Sequence, residues 1–164
     1  MAYLSCPSVI INAPVEIVWT ILISPEKWSN VFDVRIVSVE PPGRAVNGQI
    51  ISGETGPRVW HLTIKLRFVK IDAVRCCLGL DVQLPFGITV REQLSCTGLG
   101  PDQCRVTYNC DFDFPAGWRG ALTRFILRNR LDSGPADSLS RLQRAAERQF
   151  GPSAVQLQAA GSKR

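Results

Sequence analysis

Between Val59 and Val69 the chain alternates without a break. Trp60, Leu62, Ile64, Leu66 and Phe68 share one phase, and His61, Thr63, Lys65 and Arg67 share the other. Successive side chains of a strand point to opposite sides, so this segment has one apolar face and one wet face. The pattern returns between Cys104 and Phe114. There Cys104, Val106, Tyr108, Cys110, Phe112 and Phe114 alternate with Arg105, Thr107, Asn109, Asp111 and Asp113. Strands of this kind build an antiparallel sheet covered on a single side. The rest of the chain must supply the cover.

The strand pattern runs from Asp33 to Phe114. Asp33–Val39 ends at Pro41-Pro42-Gly43; within it Val34 and Ile36 compete with Val37 and Val39 for the inward face, which implies a bulge. Gln49–Glu54, Val74–Leu80 and Ile88–Cys96 read as further strands. Pro85-Phe86-Gly87 is a break and Gly98–Asp102 a hairpin loop. Before this region, Ser8–Ile11 reads as a short strand. Asn12-Ala13-Pro14 then opens a helix, with Asn12 as cap and proline tolerated in the first turn. Val15, Val18, Trp19 and Leu22 lie on one helical face. Ser24-Pro25-Glu26 starts a second short helix carrying Trp28, with Phe32 on it or just after it.

The cover begins near Trp118, after Pro115-Ala116-Gly117. Trp118, Leu122 and Phe125 form a first apolar stripe, resumed by Leu131, Leu139, Leu142, Ala146 and Phe150. Gly134-Pro135 interrupts it, and the reading is one kinked helix rather than two. The fold class is therefore α+β: a curved antiparallel sheet around a long C-terminal helix, with an apolar pocket between them. Residues 8–150 form the expected domain and 151–164 a disordered basic tail.

A chain of 164 residues needs no disulfide or metal staple. Most of its six cysteines fall in strand-like runs and there is no CxxC, so they read as reduced core thiols, with Cys76 and Cys77 on opposite faces of a strand. No run approaches the length of a membrane span, no secretory signal opens the chain, and the expected location is the cytoplasm. The net charge of +5 is concentrated on the last helix, which carries Arg119, Arg124, Arg128, Arg130, Arg141, Arg144 and Arg148. These alternate with the apolar stripe and lack interleaved aromatics, so they read as a solvated face rather than a nucleic-acid surface. No nucleotide-cradling glycine loop is present. His61 is the only histidine and falls on the wet face, so neither an imidazole metal site nor a Ser–His–Asp arrangement is expected.

The order strand, two short helices, six strands, long helix accompanies a particular opening, Ile10-Ile11-Asn12-Ala13-Pro14-Val15-Glu16-Ile17-Val18-Trp19 followed by Pro25-Glu26-Lys27-Trp28. Together these resemble the START/Bet v 1-like (SRPBCC) superfamily, and are most similar to its polyketide cyclase/dehydrase branch, over roughly residues 8–150. The resemblance implies a helix-grip fold, in which a seven-stranded sheet grips the C-terminal helix around a deep cavity. It implies binding of lipids, sterols, polyketides or other hydrophobic molecules, without a cofactor. Some members cyclise or dehydrate a bound polyketide, and one branch acts as a co-chaperone. Gly134-Pro135 departs from the usual unbroken helix, and would widen one end of the cavity or form a movable gate.

Phasing the strands by their apolar positions gives the expected ligand-binding set: Trp28, Phe32, Trp60, Leu62, Ile64, Leu78, Val90, Glu92, Leu94, Tyr108, Phe112, Leu122 and Phe125. Glu92 is a carboxylate in an apolar row. It must be paired, wet or protonated, and a raised pKa suits a general acid or base. Tyr108 on the next strand is placed to donate to Glu92 or to a ligand oxygen. The bland alternative pairs Glu92 with Arg124 or Arg128, or leaves it at a wet rim. Three functions follow: binding or transport of a small hydrophobic ligand, a cyclase or dehydratase using Glu92 and Tyr108, and a protein-interaction module. The partner expected is a small hydrophobic molecule, with no nucleic acid and no stable membrane insertion; the chain itself is a monomer or homodimer.

Overall fold

The first edge of the sheet is one extended run interrupted at Cys6-Pro7. In the computed structural model, which describes residues 2–32, 34–55 and 62–151 (side chains at 2–3, 118–119 and 121–132 excepted), strand β1 (Ala2–Ser5) and strand β2 (Ser8–Ile11) both pair antiparallel with the last strand, end to end along it. Proline has no N–H to give to a ladder. The Pro7 carbonyl still accepts the Tyr108 N–H at 3.0 Å. The remaining strands are β3 (Arg35–Glu40), β4 (Ile50–Thr55), β5 (Leu62–Asp72), β6 (Cys77–Gln83), β7 (Thr89–Gly100) and β8 (Gln103–Asp113). Their order is β1-β8-β7-β6-β5-β4-β3, with β2 also on β8, so eight strands fill seven positions. Every pairing is antiparallel.

The expected bulge in the third strand lies between Ile36 and Ser38, where the register with β4 shifts. It turns Val37 outward, 59% exposed. The strand expected at Val74–Leu80 instead begins at Cys77. Asp72 caps a turn by accepting the Arg75 N–H at 3.0 Å, Cys76 takes a left-handed φ of 47°, and Val74 projects into solvent. Cys76 and Cys77 are thus a turn residue and a strand residue, not two faces of one strand. The hairpin expected at Gly98–Asp102 tightens to Pro101-Asp102, since β7 continues to Gly100. All six cysteines are free, and Cys77, Cys96, Cys104 and Cys110 are buried.

Helix α1 (Val15–Leu22) buries Val18, Trp19, Ile21 and Leu22. Its N-cap is Pro14, not Asn12. The Asn12 side chain is engaged elsewhere. Its Nδ2 and its backbone N–H donate to Glu147 Oε1 at 3.2 and 3.1 Å, and its Oδ1 accepts from Gln103 Nε2 at 3.0 Å. A charged acceptor outcompetes a neutral cap, and the bond ties the start of α1 to the last helix. The second short helix is a 3-10 turn, Pro25–Asn30, anchored by Trp28 Nε1 donating to the Ile21 carbonyl at 3.2 Å.

Helix α2 (Trp118–Phe150) runs unbroken through Gly134-Pro135. Pro135 forfeits its bond to the carbonyl four residues earlier, but the helix is not split. Beyond it, Leu139, Leu142, Ala145 and Ala146 press into the sheet and are nearly or wholly buried. This is the helix-grip architecture. No helix among the described residues is long and apolar enough to cross a membrane. The expected tail, apart from Gly151, lies outside the described residues.

Candidate functional site

Even-numbered residues of β6 to β8, and of β5 as far as its bulge after Phe68, point to the concave side. Leu62, Ile64 and Leu66 come from β5, Leu78, Leu80 and Val82 from β6, Glu92 and Leu94 from β7, and Tyr108, Cys110 and Phe112 from β8. Between this surface and α2 lies a cavity of about 520 Å³. Trp28 and Phe32 form one wall, meeting edge-on with ring centroids 5.6 Å apart. The helix contributes Ser133, Gly134, Pro135, Asp137, Ser138, Leu139 and Arg141. Native interiors hold few voids larger than a water molecule, so a space of this size is a built feature.

The wall supplied by β5 to β8 is apolar apart from three side chains, Glu92, Tyr108 and Cys110. Glu92 pairs in register with Cys110, and Leu94 with Tyr108, so Tyr108 lies diagonally across from Glu92. The Tyr108 hydroxyl hydrogen-bonds the Glu92 carboxyl and also reaches the Cys110 sulfur. Glu92 keeps some accessible surface because it faces the cavity, yet protein surrounds it. Burial pushes its pKa up to about 7, and the Tyr108 hydrogen bond partly offsets that rise. Burial likewise raises the Tyr108 phenol and the Cys110 thiol, with the Glu92 charge adding to both. A carboxyl near neutrality exchanges protons readily in either direction. A phenol held protonated is a hydrogen-bond donor.

Residues 7–147 match the family described as polyketide cyclase / dehydrase and lipid transport. The chain belongs to this family. Among solved structures, the Zhui aromatase/cyclase from a Streptomyces species superposes with a TM-score of 0.74 at 14% identity, covering 93% of this chain and 98% of that one. A norcoclaurine synthase from Thalictrum flavum, a point mutant in complex with a transition-state analogue, gives 0.69 at 12% identity, over 92% and 98%. A conserved protein from Geobacillus kaustophilus gives 0.66 at 12% identity, over 90% and 97%. At these identities the likeness is one of fold. A search of curated proteins finds no match.

In this member of the polyketide cyclase / dehydrase family, the cavity brings together Trp28, Phe32, Leu62, Ile64, Leu78, Glu92, Leu94, Tyr108 and Phe112. Val90 points inward but does not line it. Flanked across the strands by Val82 and Phe112, it is 2% exposed and fills core instead. Trp60 and His61, and the side chains of Leu122, Phe125, Arg124 and Arg128, lie outside the described residues. Among the described residues no cation pairs with Glu92. Sequence reasoning passed over Cys110, although it shares the phase of Tyr108 and Phe112. It also passed over Leu80 and Val82, which the phase of Leu78 could have found. Phe86 and Arg141 at the mouth carried no such signal.

Proposed function

We propose that the chain holds a small hydrophobic molecule between sheet and helix, as a binding or transport protein. The apolar cavity of about 520 Å³ carries this reading. It falls within the roughly 300–1,000 Å³ of small-molecule sites, and like them has a mostly apolar lining with few polar groups. The family's description includes lipid transport, and one norcoclaurine synthase structure contains dopamine and hydroxybenzaldehyde, small molecules held by a related fold. The test is to purify the protein natively from its own host, denature it and examine the extract by mass spectrometry. A recurrent hydrophobic compound near one equivalent is expected. Folded protein that takes up no hydrophobic compound, from host extract or from an added panel, would refute the proposal.

A second reading is favoured by Glu92, a carboxyl poised near neutrality and bonded to Tyr108 inside that space. Here the bound molecule is a polyketide-like chain and the protein a cyclase or dehydratase. Ionised Glu92 takes a proton from a carbon beside a carbonyl, while the Tyr108 hydroxyl donates a hydrogen bond to the carbonyl oxygen that gains charge. The new carbon nucleophile attacks a second carbonyl and closes a ring. Glu92 returns its proton to the alkoxide that this forms, giving a hydroxyl. In a second cycle it takes the remaining proton from the same carbon beside the first carbonyl and passes it to that hydroxyl, which leaves as water as the carbon–carbon double bond forms. Proton transfer by a positioned side chain is worth about 10²–10⁴ in rate. Glu92→Gln should therefore lose turnover by about that factor while still binding. Turnover that survives the substitution would refute this reading.

A further inference from the structure

The cavity does not end at its apolar wall. Arg141 lines its mouth and also lines an adjoining groove of about 680 Å³, formed by Asn30, Val31, Arg144, Glu147, Arg148 and Gly151. The same two elements, the segment around the Pro25–Asn30 turn and α2, wall both spaces. Arg141, Arg144 and Arg148 stand at successive turns of one helical face, and all three are exposed. None makes an ion pair among the described residues. The one carboxylate in the groove, Glu147, is already engaged: its Oε1 accepts from the Asn12 N–H and Nδ2 and from Gln143 Nε2, at 3.1, 3.2 and 3.0 Å. Asp137, one turn before Arg141 at the mouth, does not line the groove.

These arginines do not share one explanation. Arg148 lies in the last turn of α2, where a cation complements the helix dipole. Arg144 and Arg148 each donate Nε to a carbonyl one turn back, at 3.2 and 3.0 Å. Their outer nitrogens have no partner among the described residues. Arg141 and Arg144, farther from the helix end, have no such duty to the dipole. A guanidinium presents paired donors that match carboxylate and phosphate oxygens.

We infer that the ligand is an amphiphile with an anionic end group, its apolar body in the cavity and its carboxylate or phosphate in the groove against Arg141 and Arg144. This rests on the cavity's holding a hydrophobic ligand, and specifies the chemistry of that ligand's polar end.

Isothermal titration of the full chain with dodecanoate, dodecyl phosphate and dodecanol at mildly alkaline pH tests it. The acids are expected to bind about tenfold tighter than the alcohol, as a charge-assisted hydrogen bond allows. The Arg141→Gln/Arg144→Gln double variant should lose most of that preference. Added salt should shrink the preference in wild type. The tighter of the two acids identifies the end group as carboxylate or phosphate. Equal binding of acid and alcohol, or a preference that survives in the double variant, would overturn the inference and leave the cavity reading intact. Binding of none of the three would overturn both. Binding to anionic vesicles without any acid preference would assign the arginines to a surface role and overturn it as well.

Discussion

Glu92→Gln should make the stability of this protein less dependent on pH. The carboxyl has a pKa of about 7 in the folded chain, against 4.5 when unperturbed. Between those values the native state binds more protons than the unfolded chain. Stability therefore falls as pH rises through this window and levels off above about pH 7. The full shift corresponds to about 3 kcal/mol, of which about 2.5 kcal/mol develops between about pH 5 and pH 8.5 by the same linkage. Glutamine has no charge to bury, so the variant lacks this loss. Other titrating groups, Glu147 among them, contribute equally to both proteins and cancel in the difference. Urea denaturation of ligand-free wild type and variant at a series of pH values measures it. The gap between the two should widen by about that amount, in favour of the variant, toward alkaline pH. Parallel curves would mean that Glu92 is solvated or neutralised by a cation, and would remove the basis for its role in proton transfer.

Tyr108→Phe removes the hydrogen bond that lowers the Glu92 pKa, so the carboxyl midpoint should move above about 7, read from carboxyl carbon chemical shifts. Gly134 lines the cavity, and a Cβ built there meets nothing within 4 Å. Gly134→Leu should gain up to about 1 kcal/mol of helix stability while lowering ligand affinity at least about tenfold; thermal melting and ligand titration read the two effects separately. Cys6 is exposed, whereas Cys96 is buried with its thiol pushed up to about 12. A thiolate is the reactive form, so brief alkylation of the native protein should modify Cys6 and spare Cys96, by peptide mass.

Local patterns carried most of the architecture. The period-two runs of β5 and β8 gave the inward face directly, and the contest between Val34/Ile36 and Val37/Val39 marked the bulge. Where the sequence misled, a distant partner or a turn had decided the outcome. Val74 looks like strand but sits in a turn set by Asp72. Asn12 looks like a cap but is held by Glu147, 135 residues away. The site was legible only in part, because phase tells which way a side chain points and not whether the space before it is filled. Val90 and Leu94 share a phase, yet only Leu94 lines the cavity. Arg141 had no signal at all, since its position depends on where α2 crosses the sheet.

The cavity persists because α2 does two different jobs along its length. Past the proline it presents Leu139, Leu142, Ala145 and Ala146, which are nearly or wholly buried and close that end against the sheet. At 133–138 the same helix presents Ser133, Gly134, Pro135 and Ser138 to the cavity. These small residues cannot fill the distance to Leu78, Leu94 and Tyr108. Larger apolar side chains there would add buried area worth about 25 cal/mol per Å², so the chain forgoes stability that Gly134→Leu should partly recover. A packed end and an under-filled middle on one helix are what a grip around a ligand requires. The strands β7 and β8 set Glu92 and Tyr108 side by side, and the loose part of the helix leaves room for the molecule they would face.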